Sequence, residues 1–82
     1  MKSSIKIFAD FNNADKERRI RLNTAGTMND LKIKDIKLIP GLEVLLDDDG
    51  GLITSGAVQF SEQENIWVAK IDWSELMYIT LP

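Results

Sequence analysis

An 82-residue chain with 44% apolar and 28% charged residues is sized and composed for one small globular domain spanning residues 1–82, and excludes a disordered segment. It contains no cysteine and no histidine, which excludes disulfide staples and thiol nucleophiles and leaves zinc, copper or haem only carboxylates for ligands. The net charge of −3 divides unevenly, with nine Lys/Arg and five Asp/Glu in residues 1–41 against one Lys and eight Asp/Glu in residues 42–82.

In chain order, MKSSIKIFADFNN lacks the apolar run of a signal peptide, and no later stretch approaches a membrane span of about 20 residues. The expectation is a cytoplasmic protein that does not meet a membrane. Residues 4–11, SIKIFADF, alternate Ile5, Ile7, Ala9 and Phe11 against Lys6, Phe8 and Asp10, the pattern of a half-buried strand. A polar turn at residues 12–15 leads to ERRIRL, where Arg19 and Arg21 alternate with Ile20 and Leu22. The two runs predict a hairpin. Thr27 stands three residues before Asp30, a capping-box variant that predicts one short helix at about 28–34 with Met28 and Leu31 facing inward. Ile36, Leu38 and Ile39 resume alternation around Lys37, and Pro40-Gly41 has the composition of a type II turn.

The second half reads more clearly. LEVLLD places Leu42, Val44 and Leu46 on one face, and LITSGAVQFS places Leu52, Gly56, Val58 and Phe60 on one face. IWVAKIDW aligns Trp67, Ala69, Ile71 and Trp73. A polar turn at 61–65 separates the last two runs, and a final short strand is expected within 76–81 after a turn at Ser74-Glu75. Short strands every eight to twelve residues with one brief helix predict a mainly β domain: a small antiparallel barrel or roll of five or six strands, the helix following the second strand.

Asp47-Asp48-Asp49-Gly50-Gly51 resembles a metal loop but fails the spacing of a helix–loop–helix calcium site, whether Gly50 or Gly51 is set at its sixth position. Asp49-Gly50 is instead a hairpin signal. Asp10 and Asp72, each before an aromatic residue, suggest a carboxylate pair for magnesium or acid–base work, or else two strand-end turns. No serine has a histidine to activate it and no glycine-rich phosphate loop is present. The expectation is a non-enzyme without metal or other cofactor.

The charge asymmetry has two readings, an internal attraction between the halves or a basic face that meets a partner. Candidate partner-binding residues are Lys16, Arg18, Arg19 and Arg21 of the first hairpin, with Trp73 and Tyr78 at a rim. The alternative is a single-stranded nucleic-acid binder using the same basic residues with Phe11 as a stacking platform, against which stands a pI near 4.8. Trp67 is expected in the core.

Taken together, ADFNN, GT..DL, GL.V.L.DD and WVA.IDW, in this order and across nearly the whole chain, resemble a group of small stand-alone bacterial proteins of unassigned function. The shared motifs are turns, a cap and core aromatics. The resemblance implies a fold and carries no functional residues across. The functional expectation is a small binding or regulatory module acting through a protein partner, as a monomer or weak homodimer.

Overall fold

The longest alternating run, LITSGAVQFS, becomes the strand around which the molecule is built. The computed structural model describes residues 5–78. Its elements are β1 (Lys6–Phe8), β2 (Ile20–Arg21), α1 (Ala25–Ile33), β3 (Glu43–Asp47), β4 (Leu52–Ser61), β5 (Ile66–Ile71), a 3₁₀ turn (Trp73–Glu75) and β6 (Met77–Tyr78). The sheet order is β1-β3-β4-β5-β2, with β6 added on β4. The sheet curls into a half-barrel over a core of Ile7, Ala9, Phe11, Ile20, Leu22, Val44, Leu46, Val58 and Ala69. Trp67 packs against this core and meets Phe60 edge to face at 5.1 Å.

Hairpins β3–β4 and β4–β5 form as their alternation predicts. At the first connection, Asp48 Oδ1 accepts from the Gly50 and Leu52 amides and Asp47 Oδ1 from that of Asp49. Positive φ falls at Asp49 and Gly51. The three adjacent carboxylates therefore build a turn. Gly41, at φ 87°, supplies the left-handed residue of the Pro40-Gly41 turn, and the Leu42 amide reaches the Ile39 carbonyl across it.

The first half departs from expectation in several places. β1 does not pair with β2. It lies parallel to β3, with Ile7 opposite Leu46, so the sheet is mixed rather than antiparallel throughout. Alternation chooses a strand's face but not its neighbour, and the stretch from residue 9 to 42 is long enough for the crossover that a parallel pair requires. The expected hairpin of residues 4–11 with 17–22 does not form; instead the segment expected as its turn folds back on β2, where Ala14 bridges Ile20 and the Arg21 amide donates to the Asn13 carbonyl at 2.8 Å. β2 then pairs antiparallel with β5.

The helix follows β2 but starts earlier than the capping box implies. Thr24 is the cap, its Oγ1 accepting from the Thr27 amide at 3.2 Å. Thr27 and Asp30 are used in tertiary contacts. The Thr27 hydroxyl donates to the Phe8 carbonyl at 2.6 Å, and Asp30 Oδ2 accepts the Phe8 amide at 2.7 Å. Lys34 Nζ donates to the Lys6 carbonyl. With this orientation Met28 faces outward, 56% exposed, while Leu31 packs against the core. Residues 36–39 form no strand, although Ile36 and Leu38 still reach the core.

β5 and β6 are two pieces of one interrupted strand. Gly56 pairs with Ile71, whereas Leu52, four residues earlier on β4, pairs with Tyr78, seven residues later on the partner. The surplus of three residues is the turn Trp73–Glu75, which expels Trp73 from the ladder.

Candidate partner-binding cleft

Two local structures, 55 residues apart in sequence, meet beside the end of β5. The first is the loop Asp15–Arg19, wound around one carboxylate. Asp15 Oδ1 accepts from the Glu17 and Arg19 amides at 2.9 and 2.8 Å, and Oδ2 accepts Arg19 Nε at 2.9 Å. Burial alone would raise the Asp15 pKa. The Arg19 amide and guanidinium, with the Glu17 amide, outweigh burial and hold this carboxyl below its ordinary value. The winding places Arg18 in left-handed backbone at φ 64°, a conformation that disfavours a residue with a long side chain.

The second local structure is the 3₁₀ turn. Asp72 caps it, its Oδ1 accepting from the Ser74 amide at 3.0 Å and the Ser74 hydroxyl at 2.6 Å. These bonds hold the Asp72 carboxyl below its ordinary value. The turn projects Trp73 toward the loop. The indole Nε1 donates to the Arg18 carbonyl at 2.9 Å, and the Arg18 guanidinium carbon lies 4.9 Å from the ring centroid.

Between them lies a cleft of about 340 Å³, lined by Glu17, Arg18, Arg19, Gln59, Lys70, Ile71 and Trp73. Arg19 is fully engaged, with Asp15, with Glu17 Oε2 at 3.3 Å and with Gln59 Oε1 at 3.1 Å. Gln59 lies on β4 and Arg19 beside β2, so their bond crosses β5 above Val68, the register neighbour of Gln59. Val68 is fully buried although it lies on the sheet face opposite the core, which fits aliphatic cover from the arginine stem.

The structure thus brings Arg18, Arg19 and Trp73 together, and leaves the other expected residues elsewhere. Lys16 is exposed on the same loop but does not line the cleft. Arg21 is held by both oxygens of Glu64 at 2.7 and 2.9 Å and by Asn13 Oδ1. The Glu64 hydrogen bond raises the Arg21 pKa and lowers that of Glu64. Tyr78 joins through backbone pairing with Leu52, and its ring lies outside the described part of the structure. Phe11, expected as a stacking platform, is 7% exposed in the core and offers no face to a base, because its alternation with Ile7 and Ala9 continues past the end of β1. Asp10 accepts the Asn12 amide and starts a turn, as Asp72 does.

Of the two readings of the charge asymmetry, the internal attraction has a physical counterpart in two ion pairs. Arg21–Glu64 and Lys6–Asp47 join the two halves, whereas Arg19 and Lys34 pair within the first. Arg18 and Lys70 have no carboxylate partner among the described residues. Lys70, Gln59 and Ile71 were not singled out by sequence. Alternation along β4 and β5 gives their faces, but only the docked Asp15–Arg19 loop makes a cleft beside them.

A scan of protein-family models, a search of curated proteins and a search of solved structures found nothing that matches this chain.

Proposed function

We propose that this protein is a small non-enzymatic binding module of the cytoplasm that acts through a protein partner at the cleft between Arg18 and Trp73. The observation that carries this reading is the expulsion of Trp73 from the β4 ladder and its fixation, by two contacts, against a residue with positive φ. Strain of this kind gathers at sites of function, and a partly exposed tryptophan beside arginine is a frequent anchor of protein interfaces. That Asp10 and Asp72 accept local backbone bonds supports a non-enzymatic role. Among the described residues no helix is long and apolar enough to cross a membrane. The nucleic-acid alternative loses support from the buried Phe11 and from the engagement of Arg19 and Arg21.

The test compares wild type with Trp73→Ala, its fold verified by amide spectra, as baits for affinity capture. The expected result is a protein retained by wild type and lost with the variant. Equal retention by both, or retention of nucleic acid instead, overturns the reading.

A further inference from the structure

The cleft carries more positive charge than its own residues neutralise. Asp15 and Glu17 share the single charge of Arg19, so these two carboxylates with Arg18, Arg19 and Lys70 sum to a net charge of +1. Arg18 and Lys70 are left facing the same space. Both are exposed. Lys70 stands in register with Ala57, whose small side chain leaves its neighbourhood open. Arg18 differs from an ordinary surface arginine because the ring of Trp73 already orders it. A guanidinium lying over a ring keeps its in-plane N–H donors available, and their fork matches a carboxylate. Ordering before binding also lowers the entropic cost of the contact. The Trp73 ring adds an apolar wall.

We infer that the cleft binds an acidic peptide segment of a partner protein, one carboxylate lying between Arg18 and Lys70 and an adjoining apolar side chain lying along Trp73. This rests on the binding-module reading and narrows it to a partner chemistry. The volume of about 340 Å³ lies at the lower end of the pocket range of about 300–1,000 Å³. That room fits a few side chains of an extended segment. A stacked base is a poor alternative, because the guanidinium already covers a face of the indole and the indole N–H is committed. A second copy of this chain is also a poor alternative. In its acidic turn, Asp47 and Asp48 spend carboxylate oxygens on their own backbone, and a head-to-tail contact of cleft with turn would not close into a dimer.

The test uses a short fluorescein-labelled peptide with adjacent Glu and Phe, its Gln-for-Glu analogue, and single-stranded oligothymidine of matched charge. Anisotropy is read against the full chain at about 50 and about 500 mM salt. The Glu peptide is expected to bind, the Gln analogue to bind about tenfold more weakly, and Lys70→Glu to weaken the Glu peptide by at least about tenfold, while Lys16→Glu, outside the cleft, changes it by less than about threefold. Arg18→Lys keeps the charge but removes the fork, so an intermediate loss is expected. Equal binding of both peptides, no binding at low salt, tighter binding of oligothymidine, or salt-sensitive self-association of the protein alone overturns the inference. If the peptides fail while Trp73→Ala still loses the captured partner, the partner chemistry is wrong and the binding-module reading stands.

Discussion

Trp73 holds Arg18 twice, by an indole N–H on its carbonyl at 2.9 Å and by a ring face under its guanidinium at 4.9 Å. The two contacts, at opposite ends of one residue, tie the loop 15–19 to the turn 73–75.

This clamp separates stability from binding. Trp73→Phe keeps a ring face but removes the N–H, leaving the Arg18 carbonyl to water, and is expected to cost about 1 kcal/mol in urea denaturation. Arg18→Gly loses a cation–π contact of about 0.5–1 kcal/mol and relieves left-handed strain of about 1–2 kcal/mol. Its stability is expected within about 1 kcal/mol of wild type. Partner capture, by contrast, is expected to be lost in Arg18→Gly.

The Asp15 carboxylate sets an acid limit. Its pKa is lowered in the folded protein, so its stabilisation is present above the ordinary carboxyl value of 3.8 and is lost as pH falls through the lower folded value. Asp15→Asn turns an amide N–H₂ toward the Arg19 Nε donor and is expected to cost about 2–3 kcal/mol at pH 7. The gap between variant and wild type should narrow below pH 4, as read by melting temperature across an acid series. A gap independent of pH would place the cost in packing.

Two glycines are expected to behave oppositely. A Cβ at Gly56 would lie 2.9 Å from Ile71 Cγ2 and 3.1 Å from the Lys70 carbonyl oxygen, which belongs to the ladder and cannot move alone. Gly56→Ala is expected to cost about 1–3 kcal/mol. At Gly50 the nearest atom is an Asp48 carboxylate oxygen at 3.5 Å, and Gly50→Ala should stay within about 0.5 kcal/mol of wild type. Paired thermal melts decide between them.

The helix is moored to β1 through Asp30. Asp30→Ala removes the acceptor of the Phe8 amide and is expected to accelerate hydrogen exchange at Phe8 by at least about tenfold, with global stability falling by about 1–2 kcal/mol. An unchanged Phe8 rate would mean that the helix is held by its apolar contacts instead.

The second half of the chain was legible because its runs alternate cleanly and are joined by short turns, so face, partner and register follow together from Val44, Val58 and Ala69. The first half was not. Ile7 and Ala9 specify a face, but a parallel partner 39 residues away, Ile7 with Leu46, leaves no local mark. The residues Thr27 and Asp30 look like a cap because a hydroxyl and a carboxylate at that spacing suit a helix start. The same groups can equally answer a neighbouring strand, and Thr24 takes the cap. The basic loop and Trp73 were visible as residue types. Their meeting depends on a three-residue interruption between β5 and β6 that alternation through Ile71 and Trp73 conceals.

The bonds from Thr27, Asp30 and Lys34 fall on Phe8 and Lys6, the residues of β1 whose amides and carbonyls point away from β3. A strand at the end of a sheet ordinarily invites another chain to continue the ladder. Here that invitation is already answered by side chains in the spacing of a strand. The helix acts as a counterfeit neighbour, occupying with Thr27, Asp30 and Lys34 the backbone groups of Phe8 and Lys6 that an added strand would need.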